Sequence, residues 1–176
     1  MTSRVADIQG QRAAEGLAGR ESELATLLTL LDEGGPLIIH VHGIAGIGKS
    51  ALVEGFAARV RARGATVVQL DCRAIEPVEK TVLRHLSEAI GGAFATVDRA
   101  AGRLGGLGRQ VVLVLDTYEV FRTMDAWLRQ TLVPALPSNV RLLLAGREAP
   151  APRWVATPGW ASLFRGRWDR WMTPAP

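Results

Sequence analysis

Lysine, cysteine and tyrosine are scarce in this chain. Of its 21 basic residues only Lys49 and Lys80 are lysines, and Cys72 and Tyr118 are the single cysteine and tyrosine. One thiol excludes an internal disulfide and a four-cysteine metal site. No long apolar run exists. The longest aliphatic stretch, Val111 to Leu115, is five residues, against the roughly 20 that a membrane-spanning helix needs. The N-terminal stretch MTSRVADIQGQRAAEG has no apolar core of the signal-peptide kind, so the expectation is a reducing, cytoplasmic compartment. Basic runs like those of nucleic-acid-binding arms are also missing. The net charge is +4, of which residues from Arg153 onward carry +3 and residues 1–152 only +1.

What remains is an ordinary globular composition, 48% hydrophobic and 22% charged over 176 residues, enough for one domain. The pattern divides it into a flexible lead-in (1–16), a body (17–152) and a tail (153–176) rich in Trp, Arg and Pro. In the body, leucines 24, 27, 28, 30 and 31 predict an amphipathic helix over 21–31, stopped by Gly34-Gly35-Pro36. Short apolar runs predict buried strands near 37–42, 65–71, 110–116 and 139–145. Between them lie predicted helices at 49–63, at 77–90 with Pro77 at its start, at 96–104, and at 125–132, closed by Pro134 and Pro137. Such alternation implies an α/β fold with a mostly parallel sheet and helices on both faces.

The first strand runs directly into Gly43-Ile44-Ala45-Gly46-Ile47-Gly48-Lys49-Ser50, a full match to G-x-x-x-x-G-K-[ST]. Glycines at these positions let backbone N–H groups turn inward around phosphate oxygens. The helix that opens near Lys49, with Ala51 in its first turn, aims its positive dipole end at the same anion. Lys49 would neutralise β- and γ-phosphate charge, and the Ser50 hydroxyl would ligate Mg²⁺. Asp116, ending the strand VVLVLD, supplies the second magnesium-side oxygen. Glu119 lies three residues on and is the candidate to orient or deprotonate an attacking water. Arg147, following the strand NVRLLLAG, is the candidate to reach a γ-phosphate. His40 and His42 share one face of the first strand and lack a third ligand, so they are read as packed or hydrogen-bonded rather than metal-bound. The glycine-rich GGLG (105–108) opens no helix and is read as a loop.

Four segments in this order, LAGRESELATLL, HGIAGIGKSAL, VLVLDTYE and VRLLLAGRE, resemble the bacterial signal-transduction ATPases with numerous domains, the STAND class related to AAA-type ATPases. The resemblance covers roughly residues 17–165. It implies an ATP/ADP switch in which Lys49 and Ser50 are Walker A residues, Asp116 is the Walker B acid, Arg147 stands at the sensor position, and Arg20, in the Gly-Arg-Glu lead-in, lies near the nucleotide base. This chain departs from the family by having Thr117 where vigorous AAA-type ATPases carry a second acid, which implies slow hydrolysis. It also has RGRWDRWMTPAP where the family continues into a fifth strand, lid and effector regions. The fifth strand is therefore expected to be missing, which would leave 37–42 at a sheet edge with unpaired backbone groups, open to self-association, to a protein partner or to cover by the Trp-rich tail. The leading expectation is an ATP·Mg²⁺-binding regulatory module. A non-hydrolysing interaction or DNA-associated fragment and a small-molecule P-loop kinase are the alternatives.

Overall fold

The computed structural model describes residues 19–46, 48–156 and 164–165. Helix α1 (Glu21–Leu28) tightens into a 3₁₀ turn, Thr29–Leu31, and buries Leu24, Leu27, Leu28, Leu30 and Leu31 on one stripe. Strand β1 (Ile38–His42) leads through the glycine-rich loop into α2 (Lys49–Ala62). Strand β2 (Thr66–Asp71), a 3₁₀ turn (Cys72–Ala74), helices α3 (Glu79–Ile90) and α4 (Val97–Gly105), and β3 (Val111–Asp116) follow. The chain then runs through a 3₁₀ segment, Tyr118–Met124, into a composite helix: α5 (Asp125–Trp127), a π segment (Leu128–Leu132) and α6 (Val133–Ala135). Strand β4 (Val140–Gly146), α7 (Arg153–Ala156) and β5 (Phe164–Arg165) complete the described elements.

All pairings are parallel and the sheet order is β2-β3-β4-β1-β5. The four expected strands form as the α/β reading requires. A fifth strand, which the sequence reading expects to be missing, is present: Phe164 and Arg165 pair with Ile38 and Ile39 on the outer side of β1. A two-residue ladder has no periodicity to detect, since period-2 alternation needs about four residues to show. The expectation that β1 is a bare edge is thereby corrected over Ile38 and Ile39.

Alternation along the strands divides the core by face. Ile39, Val41, Val112, Val114, Leu143 and Ala145 pack with α1 and α2. Ile38, Val111, Leu113, Leu115, Leu142 and Leu144 pack on the other face with α3, α4 and the 118–132 segment. Trp154, from the Trp-rich end of the sequence, is fully buried in this second layer. Gly105, expected in a loop, ends α4 instead, and the turn at 106–108 follows it; Asn139 Nδ2 donates to the carbonyls of Gly105 and Gly108, both at 2.9 Å.

Two boundaries differ from expectation, and one segment has no assignment from sequence. Helix α3 begins at Glu79, not at Pro77, because Val78 is extended (φ −136°, ψ 145°). Pro134 does not close the helix before it. It sits in the first turn of α6, where a missing N–H is tolerated. The 3₁₀ segment 118–124 follows Thr117, which adopts left-handed dihedrals (φ 56°, ψ 44°) and turns the chain sharply off β3.

Candidate nucleotide site

The register of the sheet assembles the site. Asp71, Asp116, Ala145 and Val41 stand level with one another across β2, β3, β4 and β1. With strands about 4.8 Å apart, β3 lies about 10 Å from β1, and Gly43 begins the loop two residues beyond Val41. β1 and its neighbour β4 are not consecutive in the chain, so the carboxyl ends of β1 and β4 flank the kind of crevice in which open α/β sheets take their ligands.

Within the loop, Gly46 and Gly48 have φ of 80° and 85°, left-handed values that glycine adopts without strain. Gly48 is also the N-cap of α2. The Lys49 ammonium turns back over the loop, donating to the carbonyl oxygens of Gly43 at 2.6 Å and Ile44 at 2.8 Å. The ionised donor makes both bonds charge-assisted, and they hold the ammonium over the glycine-rich loop. Burial pulls Lys49 below its ordinary value; Glu119 draws it back up, Arg147 pushes it down and Asp116 raises it. The four charged groups proposed from sequence therefore share one electrostatic neighbourhood. Ile47 lies outside the described residues.

Arg20 packs against the same loop. A Cβ built on Gly48 would lie 3.0 Å from Arg20 Nη2 and 3.2 Å from its Cζ. The guanidinium thus abuts the backbone of the glycine-rich loop, at the point where α2 begins.

Asp116 is half-buried. Burial raises its carboxyl above the usual range, the Thr117 N–H that it accepts at 2.8 Å opposes this, and the neighbouring Asp71 raises it further. Asp71 in turn is held down by Arg73, which forks onto both of its oxygens (Nη2 to Oδ2, 2.7 Å). Glu119 does not point at open solvent. Its Oε2 accepts the Arg147 backbone N–H at 3.1 Å, and its Oε1 lies 3.4 Å from Arg147 Nε. Gly146 makes this possible, because a Cβ there would come within 2.8 Å of Glu119 Oε2.

Sequence reasoning did not find the hub beneath this site. Asp125 accepts from Tyr118 Oη at 2.8 Å, from Arg129 Nε at 3.0 Å and from the Trp154 indole N–H. The i, i+4 spacing of Asp125 and Arg129 was the one signal available; nothing in the sequence tied Trp154 to them. His40 and His42 make ring contacts, His40 to His42 at 5.8 Å and His40 to Tyr118 at 5.6 Å. No group able to hold a metal through three His, Cys, Asp or Glu side chains occurs among the described residues, and no described helix is long and apolar enough to cross a membrane.

The AAA ATPase domain family matches residues 16–145, and the chain belongs to that family. It is an ATP-binding P-loop NTPase module. Solved structures of the same fold include the Aeropyrum pernix ORC1 protein in complex with DNA (TM-score 0.62, 19% identity, 84% of this chain and 44% of that one). Drosophila ORC bound to DNA (TM-score 0.60, 19% identity, 79% and 41%) and Cdc6p from Pyrobaculum aerophilum (TM-score 0.57, 16% identity, 85% and 45%) are similar as well. The chain spans less than half the length of each of these three. No curated protein matches it significantly.

Proposed function

We propose that this module is a regulatory nucleotide switch of the STAND type, binding ATP or ADP with Mg²⁺ and hydrolysing ATP slowly. The observation that supports it most directly is the posture of Lys49, folded onto the Gly43 and Ile44 carbonyls at the mouth of a loop with left-handed glycines. The residues fit the cofactor. Backbone N–H groups of residues 44–50 and the Lys49 ammonium offset phosphate charge, while Ser50 Oγ and the Asp116 carboxylate are hard oxygen donors suited to Mg²⁺. When bound, the metal neutralises charge on the phosphate oxygens.

In hydrolysis Glu119 accepts a proton from the attacking water, and Lys49 stabilises charge spreading on the transferred phosphoryl group. Arg147 reads the γ-phosphate. Its backbone N–H also donates to Glu119 and its guanidinium faces the same carboxylate, so the two groups are coupled. That coupling, together with Thr117 directly after Asp116, supports slow turnover. Arg20 contributes a second cation at the loop, at the Gly48 end.

Calorimetric titration with ATP, ADP and GTP, with and without Mg²⁺, followed by hours of hydrolysis measurement, tests the reading. Tight adenine-nucleotide binding, lost by at least about 100-fold in Lys49→Ala, and turnover far below the usual 1–100 s⁻¹ range of phosphoryl-transfer enzymes such as kinases are expected. Unchanged affinity in Lys49→Ala would overturn it.

A further inference from the structure

Behind the nucleotide site, on the sheet face opposite α2, lies a cavity of about 290 Å³ bounded by β1, the segment 118–129 and residues 148–153. Its size matches about ten water molecules at about 30 Å³ each. His40 lines it. That residue is 1% exposed, and neither ring nitrogen has a hydrogen-bond partner among the described residues. Its ring contacts, to His42 and Tyr118, are edge contacts. A neutral imidazole carries one donor and one acceptor, and leaving both unmet in a buried site is costly. The cavity therefore asks for a polar occupant.

The charges on its walls say which kind. Three acids line it, Glu119, Asp125 and Glu148, with three arginines, Arg122, Arg129 and Arg153. The acids are engaged. Asp125 accepts from three donors, Glu119 is bound by Arg147, and Glu148 is paired with Arg122. A guanidinium has five N–H donors, and Arg129 spends only Nε on a hydrogen bond among the described residues. Unspent capacity is thus cationic N–H, beside a neutral group able both to donate and to accept.

We propose that this cavity is a binding site for a small hydroxy acid, its carboxylate received by the Arg129 guanidinium and its hydroxyl by His40. Binding there does not depend on the nucleotide reading. The walls it touches are the strand that leads into the glycine-rich loop and the segment that bears Glu119.

The test uses the full chain with ¹⁵N-labelled histidine rings, His40 being assigned through His40→Gln. Lactate and malate are titrated at constant ionic strength against chloride. A saturable change at the His40 ring nitrogens, with half-saturation at about 1 mM or below, is expected, together with no response to lactamide, the neutral isostere. Ala151→Leu, which adds bulk to the cavity wall without touching its charges, and Arg129→Lys, which removes the planar fork, should each weaken the response at least about tenfold. Arg129 also holds Asp125, so Ala151→Leu carries the test should Arg129→Lys not fold. No saturable change at His40, an equal response to lactamide, a response to inorganic phosphate alone, or wild-type binding in folded Ala151→Leu would each overturn the assignment.

Discussion

Glu119 and Arg147 are fastened to each other at two points, a backbone N–H to Oε2 and the guanidinium Nε facing Oε1. This ties the segment after β3 to the end of β4, so the groups that would handle water and γ-phosphate are not independent. Arg147 is mostly exposed (65%) whereas Glu119 is 18% exposed. The guanidinium contact is therefore a weak surface ion pair, and the backbone N–H is the firmer contact that positions the partly buried Glu119. Movement should fall to the arginine.

Gly146 gives this arrangement a clean test. Its missing Cβ leaves room for the Glu119 carboxylate, and the atom that an alanine would meet is the end of a flexible side chain. Gly146→Ala should therefore fold normally and displace Glu119. Turnover should fall by roughly 100-fold, the scale of a lost general base, while ATP affinity stays close to wild type. Single-turnover hydrolysis beside calorimetric binding separates the two. A wild-type rate in this variant would remove Glu119 from the chemistry.

Asp116 should show a conflict between folding and function. Burial raises its carboxyl above the ordinary value of 3.8, so at neutral pH the folded state carries a charge it disfavours. Asp116→Asn should raise the melting temperature of the nucleotide-free protein and abolish the Mg²⁺-dependent part of ATP binding. The sign for pH follows: a carboxyl raised in the folded state relieves its penalty as pH falls through the raised value towards 3.8. Magnesium-dependent affinity should weaken over that same window. Thermal unfolding and binding measured on one pH series would check both.

The phosphate loop was legible because its chemistry is local: eight adjacent residues between an apolar run and a helix. The position of Asp116 was legible because it ends an uninterrupted aliphatic strand. Trp154 was not, because its partners Asp125 and Arg129 are more than twenty residues away and its burial is a tertiary fact. β5 escaped because two residues carry no period. The 3₁₀ segment 118–124 escaped because the left-handed Thr117 that launches it is not a residue type that announces such a turn. Arg20 was reached only through family resemblance; its approach to Gly48 is set by how α1 docks, not by any spacing in the sequence.

Trp154 should anchor the 148–156 segment to the body. The indole is fully buried and donates to Asp125. Trp154→Ala should destabilise by about 3–5 kcal/mol. Trp154→Phe keeps most of the apolar burial but leaves Asp125 one donor short, so its loss should be smaller, about 1–3 kcal/mol. Urea unfolding of the three proteins would show this order. Equal stability of Trp154→Ala and wild type would mean that the segment does not hold the core together.

His40 should leave a signature in the acid limb of the stability curve. Burial holds its imidazole down, the nearby His42 lowers it further, and Asp125 only partly offsets them, so it titrates at about 3 instead of 6.5. An unfolded chain takes up this proton near 6.5 and the folded one does not. Stability from this source is intact above 6.5 and declines as pH falls towards about 3, by up to about 1.4 kcal/mol for each pH unit. Carboxylates such as Asp71, held low by Arg73, add their own loss only in the lower part of that range. His40→Phe removes the titrating group and two unmet polar atoms from a buried site, so it should flatten the curve between pH 6.5 and 5 and leave the protein at least as stable at pH 7. Denaturant midpoints measured across that interval decide it: an identical slope in His40→Phe would mean that the imidazole finds its proton, or a partner, in the folded state.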